Sequence, residues 1–443
     1  MDWQIAERIC IILVANLIFY SKSLCYKYTS DDLAVYKRGY DKNLPKYKKL
    51  FRNLIGSIRI FPQLDHFVTI WIHALVCVFI YLAFGATDIS FLAALLFAFN
   101  PATNQGSVWI AGRGYVYPTL FALMSLTIPI LSPLFLFAGG YWHLGYIIPL
   151  VFLFSNIKWV LLFMPFIWYF WYKKMRKSVT EKMNRDMFGE DKKIKPQKLI
   201  LFTKTFGFYF MLCLIPFKNT FYHSFLQSAA GNEIMKRRAY AFDRFFFMGV
   251  AVISFVLLNY IYNPDRQFAF CLMWYTVGIL PFCNMFRMSQ EIAERYMYLP
   301  CAGLMMALAI VLHSYPVLVG AFIAMYATKM WFYMDAYTDD YYLIENACLN
   351  SPDSWFAWHI RAMKRWDSQS FREAIILWVM AKNISPKEFK ILFNIATALR
   401  VMRNEKEANE YLCEAEKNIP EGQEQQVGEL IRGFRQGKST ILL

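Results

Sequence analysis

Charge is scarce in this chain. Of 443 residues 18% are charged, against 57% hydrophobic and 19% aromatic. That balance excludes an ordinary soluble globular domain and a disordered polymer alike. Nine cysteines form no CxxC pair, and most stand inside apolar runs (Cys10, Cys77, Cys213, Cys271, Cys283). Neither a disulfide framework nor a zinc-ligand pattern is present, and these thiols read as small core residues. No glycine-rich phosphate loop, Ser/His/Asp arrangement or metal-spaced His/Cys cluster is apparent. Charges inside apolar stretches are few (Lys158, Lys204, Lys329). This argues against an ion-coupled transporter, which buries paired ionisable groups. The first apolar stretch, residues 9–20, is followed by Ser-Lys-Ser-Leu-Cys without a small-x-small cleavage site. It therefore reads as a retained span and not as a signal peptide.

What the chain has instead is a succession of apolar runs of about 15–20 residues, the length that crosses ~30 Å of hydrocarbon as a helix. By hydropathy and length the spans fall at roughly 5–21, 66–84, 88–100, 115–131, 133–154, 157–172, 199–217, 243–262, 268–285, 300–314 and 316–334. The expectation is an all-α, polytopic helical membrane protein of about eleven spans over residues 1–334. The net charge of +15 points to loops facing anionic headgroups or lipid phosphates. Nucleic acid is not expected as a partner, because the basic residues sit in loops between spans. Loops 22–65 and 173–198 each hold ten Lys/Arg against four acids. With six spans before the second loop they lie on opposite sides, so the positive-inside rule alone does not orient the chain. The second loop is short, polar and free of motifs, which makes it the simpler cytoplasmic candidate. The N-terminus is then cytoplasmic. Loop 22–65, two polar islands described below and the C-terminal region share the extracytoplasmic (periplasmic or lumenal) face.

From residue 335 the composition changes. Residues 335–443 carry fourteen basic and sixteen acidic residues, and long apolar runs stop. Pro352, Pro386 and Pro420 recur at thirty-four-residue intervals, the tetratricopeptide period. In register with it, Ala362, Ala374 and Ala381 are repeated by Ala396, Ala408 and Ala415. Trp358, Trp378, Leu392 and Leu412 stand at larger packing positions. Residues 335–443 are therefore expected to form tetratricopeptide-like helix pairs, with 424–435 capping the far end.

Residues able to carry chemistry collect in polar stretches between spans. Tyr28-Thr-Ser-Asp31-Asp32 follows the first span directly. Adjacent carboxylates there can take a proton from a hydroxyl or bind a divalent cation. The same residues also suit a solvated helix cap. Arg52 and His66, at the end of that loop, suit a phosphate at the interface. His73, inside the next span, fits a hydrogen-bonded packing residue. Residues 37–49 mix basic with apolar and aromatic side chains, as does a helix lying in the headgroup plane. Two polar islands follow. One is Asn100-Pro-Ala-Thr-Asn-Gln-Gly-Ser-Val-Trp-Ile-Ala-Gly-Arg113. The other is Glu291-Ile-Ala-Glu-Arg-Tyr-Met-Tyr-Leu-Pro300. In the second, Arg295 can grip a phosphate with Glu294 holding it, or the two can form a structural ion pair.

In this order the strings resemble the signatures of the transmembrane and tetratricopeptide-repeat (TMTC-type) O-mannosyltransferases, of the GT-C glycosyltransferase class. The acidic pair is similar to that family's aromatic-x-x-Asp-Asp string, and His66 and His73 match its second-span histidines. Glu294-Arg-Tyr-Met-Tyr-Leu-Pro300 is similar to its Glu-Arg-Tyr-x-Tyr-Leu-Pro. The island at 100–113 keeps Pro101 and Gly112-Arg113. It has Asn100 and Thr103 at two His positions, Gln105 at a Glu position and Tyr115 at an Asp position. The resemblance implies transfer of a sugar, mannose in the family, from a polyprenyl-phosphate donor to Ser/Thr of an exported protein. In that scheme Asp32 or Asp31 is the base. Arg52, His66, Arg113, Glu294 and Arg295 attend the donor phosphate, and Asn100 and Gln105 meet sugar or acceptor. The four replacements equally suit a catalytically degenerate relative that serves as a membrane-embedded scaffold or accessory subunit, docking partners through its repeats.

Overall fold

A computed structural model describes residues 3–32, 36, 60–140, 196–216, 218–223, 241–262, 265–284, 292–419, 424–437 and 441–442. Arg52, the amphipathic stretch 37–49, Lys158, the span at 157–172, most of that at 133–154, loop residues 173–195, Glu291 and Pro420 lie outside the described residues. Those described are mostly helical, with no strand. They fall into two units, 1–219 with 242–342, and 220–241 with 343–443.

The first unit contains α1 (Trp3–Tyr20), α2 (Pro62–Ala83), α3 (Asp88–Phe99), the single turn α4 (Asn104–Ser107), α5 (Arg113–Thr127) and α6 (Ser132–Gly140). These are followed by α7 (Pro196–Leu214), α8 (Arg244–Tyr262), α9 (Arg266–Ile279), α10 (Tyr298–Leu312) and α11 (Pro316–Met334). Local chemistry sets several starts. Pro62 opens α2, Thr87 and Ser90 form a reciprocal capping box at α3, and the Asp265 carboxylate accepts from the amides of Gln267 and Phe268 at α9.

Five helical stretches of the described residues are long and apolar enough to cross a bilayer: Trp3–Cys25, Pro62–Ala83, Arg244–Tyr262, Glu294–Leu312 and Pro316–Tyr337. Others fall short of the eleven expected for physical reasons. α3, α5 and α9 have 12, 15 and 14 residues, and α7 carries Lys198 and Lys204. α10 is buried along nearly its whole length, whereas α8 and α11 expose Phe247, Leu257, Leu258, Val317 and Phe332. α10 is thus the core helix, packed by α3, α5 and α9, and α8 and α11 present apolar flanks as a lipid-facing helix does. α7 and α8 approach to backbone contact. A Cβ on Gly207 would lie 2.2 Å from the Phe245 carbonyl oxygen, and one on Gly249 1.9 Å from that of Thr203, a small-residue crossing.

Polar contacts define the two ends of this unit. Arg8, near the start of α1, pairs with Asp88 at the start of α3. At the other end Tyr20 donates to the Ala98 carbonyl (2.5 Å), Lys22 meets Asp335 (2.6 Å) and Tyr28 meets Asp65 (2.5 Å). α1, α3 and α11 therefore finish where α2 begins, and the polar segments at 26–32, 100–113 and 294–297 gather there.

α12 (Asp340–Asn350) begins in the first unit, which ends at Tyr342, and leads into the second, with α13 (Trp355–Asp367), α14 (Phe371–Ile384), α15 (Phe389–Val401), α16 (Glu405–Glu416) and α17 (Glu424–Arg435). α13 packs on α14, α14 on α15 and α15 on α16. Ala362, Ala374, Ala381, Ala396, Ala408 and Ala415 are all fully buried, with Trp378, Leu392 and Leu412 filling around them. Gln369 and Arg403, thirty-four positions apart, close α13 and α15 in the left-handed region (φ 61° and 63°). Val427, Ile431 and Phe434 of α17 complete the core.

Candidate functional site

After α1 the chain forms a short 3-10 turn (Ser21–Cys25) and then runs extended along the segment that follows α11. Tyr26 donates its hydroxyl to Asp335 (3.2 Å), the Lys27 amide donates to the Thr338 carbonyl (2.9 Å), and the Ser30 amide donates to the Asp340 carboxylate (2.6 Å). Ser30 sits at φ 51°, a region that costs a non-glycine residue about 1–2 kcal/mol. The Asp340 bond offsets that cost. The reversal at Ser30 leaves Asp31 exposed and Asp32 buried, so the two carboxylates stand in different media.

The island at 100–113 is buried in full up to Ile110. Asn100 spends its amide on backbone: Oδ1 accepts from the Ala102 amide and Nδ2 donates to the Cys213 carbonyl, both at 2.9 Å. Thr103 donates its hydroxyl to the Asn100 carbonyl. Gly112 lets the island fold back on itself, since a Cβ there would fall 1.7 Å from the Gln105 carbonyl oxygen. Arg113 is buried against the first turns of α2. Nε donates to Thr69 Oγ1 (2.8 Å), Nη2 donates to the Asp65 carbonyl, and the Asp65 carboxylate lies 3.7 Å away. The same carboxylate accepts from Tyr28 and from the Ile60 amide (3.1 Å).

In the third segment Glu294 is fully buried and accepts from Asn219 Nδ2 (3.1 Å) and the Tyr333 hydroxyl (2.9 Å). Arg295 is half-buried in an aromatic box. Its guanidinium carbon lies 5.2 Å from the Tyr296 ring centre, 5.6 Å from that of Trp109 and 5.8 Å from that of Tyr115. Its amide donates to Gln105 Oε1 (3.2 Å), and Nε reaches the Tyr115 hydroxyl (3.4 Å). Trp109, on whose face Arg295 lies, donates its indole N–H to the Thr29 carbonyl (3.4 Å), which also accepts from the Asp32 amide (3.1 Å). The turn bearing Asp32, the island bearing Gln105 and Arg113, and the turn bearing Glu294 and Arg295 therefore meet around one indole.

His66 is buried with its ring edge-on to Tyr26, 6.1 Å between centres. His73 is a packing residue: Nδ1 meets the Tyr298 hydroxyl (2.5 Å) and Nε2 faces the Ala98 carbonyl (3.3 Å). Asn104 is fully buried, and neither polar atom of its amide has a hydrogen-bond partner among the described residues. Buried amides are nearly always paired, which makes this one an exception within the island. Among the described residues no group of three or more His, Cys, Asp or Glu side chains gathers as a metal ion requires.

Four residues here escaped reading from the sequence: Asp65, Trp109, Asn219 and Tyr333. Asp65 stands in the first turn of α2, where an acid needs no partner to explain it, and Trp109 is one of 13 tryptophans. Asn219 and Tyr333 lie in stretches with no motif, and only the tertiary fold brings them to Glu294. Comparison with protein families, with curated proteins and with solved structures returns no match for this chain.

Proposed function

We propose that this chain is a GT-C-like membrane glycosyltransferase. It takes a sugar from a polyprenyl-phosphate carrier, mannose by resemblance, and passes it to a Ser/Thr hydroxyl of an exported polypeptide. The observation that carries this reading is the junction at Trp109. It joins a buried carboxylate segment to a boxed guanidinium from a part of the chain more than 260 positions away. Side chains so far apart in sequence are gathered where positioned chemistry needs them. In the reaction the acceptor hydroxyl oxygen attacks the anomeric carbon and its proton passes to Asp32. The bond from that carbon to the phosphate oxygen breaks, and the lipid phosphate leaves with the electron pair. Arg295 offsets the charge on the departing phosphate. Arg113, tied to Asp65, orients the island and does not itself meet the lipid. The N-terminus of α1 faces the cytoplasm, and the helix pairs α13–α14 and α15–α16 are tetratricopeptide-like repeats that hold the polypeptide on the other face.

A specific observation favours the second reading, a scaffold without turnover. The amide of Asn100 and the guanidinium of Arg113 are already spent on the protein itself. Purified protein in nanodiscs, with polyprenyl-phosphate mannose and a Ser/Thr-rich peptide, separates the two. The enzyme reading expects transfer by the native chain and a loss of roughly 10²-fold or more in Asp32→Asn, which keeps volume and removes basicity. Transfer undiminished in that variant removes Asp32 from the chemistry. No transfer by the native chain across polyprenyl-phosphate sugars leaves the scaffold.

A further inference from the structure

The second unit holds a piece of its own chain in an unusual way. Asn394, on α15, is fully buried. Its side-chain amide makes two hydrogen bonds to one residue downstream of α17. Nδ2 donates to the Leu442 carbonyl and Oδ1 accepts from the Leu442 amide, both at 2.8 Å. This two-pronged contact reads a peptide main chain as a neighbouring β-strand would, with no dependence on the side chain. Ile441 and Leu442 are neither helix nor strand, and their side chains pack on the core of α13–α16 together with Trp355, Trp358 and Met363. The Leu442 main chain also lies against the His359 ring, whose Nδ1 accepts from the Trp378 indole (3.1 Å). A buried amide with both halves committed to the main chain of a single residue is a built site, because a satisfied core needs no Asn at the centre of an otherwise apolar helix face.

We infer that α13 and α15 form a groove for an extended apolar peptide segment, read at its backbone by Asn394, and that residues 441–442 fill it in cis. A polypeptide entering the groove must first displace that segment, so the contact is autoinhibitory. The inference rests on the reading of the repeats as a polypeptide-binding surface and is independent of the sugar chemistry.

The test uses the chain in nanodiscs, native and ended after Gly437, with a fluorescent peptide of residues 438–443 as probe. A second probe is methylated at the Leu442 nitrogen and cannot donate to Asn394. The shortened chain is expected to bind the first probe, the native chain at least about tenfold more weakly, and the methylated probe about tenfold more weakly still on the shortened chain. Asn394→Asp in the shortened chain keeps an acceptor, loses the donor and should weaken the first probe by a similar factor. Hydrogen exchange at the Leu442 amide gives an independent readout: slow in the native chain, fast in Asn394→Ala. Equal binding by native and shortened chains, with a freely exchanging Leu442 amide, overturns occupancy in cis and leaves the polypeptide-binding reading intact. Failure of the folded shortened chain to bind either probe overturns the groove and that reading together.

Discussion

Asp65 carries more of the site than any residue picked out from motifs. Its carboxylate accepts from Tyr28 and from the Ile60 amide and faces the Arg113 guanidinium, with both partners of the ion pair essentially inaccessible. A buried pair adds little when intact, but removing one partner strands the other charge at a cost of about 3–5 kcal/mol. Asp65→Ala and Arg113→Met alone should each lower the detergent melting midpoint markedly, whereas Asp65→Leu with Arg113→Met should melt above either. Additive losses in the double variant would mean that the two groups do not act as a pair. The same contact shows why the site was only partly legible in the sequence. Asp32, Arg113, Glu294 and Arg295 stand in short strings whose order is readable along the chain. The acid that engages Arg113 lies forty-eight positions upstream in a helix start, where an Asp needs no partner to explain it. Asn100 and Arg113 looked free for a ligand because hydrogen-bond partners such as the Cys213 carbonyl and Thr69 come from other elements.

At the scale of elements, the helices of the second unit were the most legible part, because their signal is local: three alanines recur in the same register after thirty-four residues, and a proline follows each helix pair. The membrane helices were less so. Hydropathy measures composition, and the polar island interrupts it with short turns whose path depends on Gly112 and on contacts with α2 and α10. Within the second unit, Ala374 on α14 and Ala408 on α16 are fully buried, while Ile376, also on α14, is largely exposed. Ala374→Trp or Ala408→Trp should cost ~1–3 kcal/mol or more through overpacking, read as faster hydrogen exchange across α13–α16. Ile376→Trp should leave exchange unchanged, and equal effects at all three positions would show that packing is not the cause. Acid should loosen the same pairs. Burial, with Lys390 as a lesser influence, pushes the His359 pKa down to about 4. The unfolded chain, near 6.5, binds that proton first, so this contribution is full above pH 6.5 and is lost as pH falls toward 4. The loss at pH 5 is about 2 kcal/mol. Glu388, raised by burial, works in the opposite sense. His359→Gln should remove the acid-side loss and unmask the gain from Glu388. If exchange protection in the native chain, corrected for intrinsic rates, is flat from pH 7 to 5, His359 does not titrate as described.

At the scale of the whole membrane unit, function depends on which ends of the helices share a face. The contacts of Tyr20 with Ala98, Tyr28 with Asp65 and Lys22 with Asp335 put the ends of α1, α3 and α11 beside the start of α2. Arg8 and Asp88 mark the opposite end. Glu294 joins the first group through Tyr333, so the start of α10 is there too, and its far end carries the exposed turn at His313 and Ser314. Lys22, with its ammonium 4.7 Å from the centre of the Trp331 ring and paired to Asp335, is the kind of cation and aromatic pair that settles at a headgroup boundary. These relations yield a test that needs no activity. Cys25 is exposed at the site end of α1. In a chain with Cys10 and Cys413 replaced by Ser, a membrane-impermeant maleimide should reach Cys25 from the extracytoplasmic side alone. A Ser314→Cys variant that also lacks Cys25 should react only from the cytoplasmic side. Reversal of both would keep the fold and invert the orientation proposed here, turning the Asp32 face toward the cytoplasm and away from any exported acceptor. Labelling of both positions from one side would separate the two ends of α10 from opposite membrane faces, and the common face on which the glycosyltransferase reading depends would be lost with it.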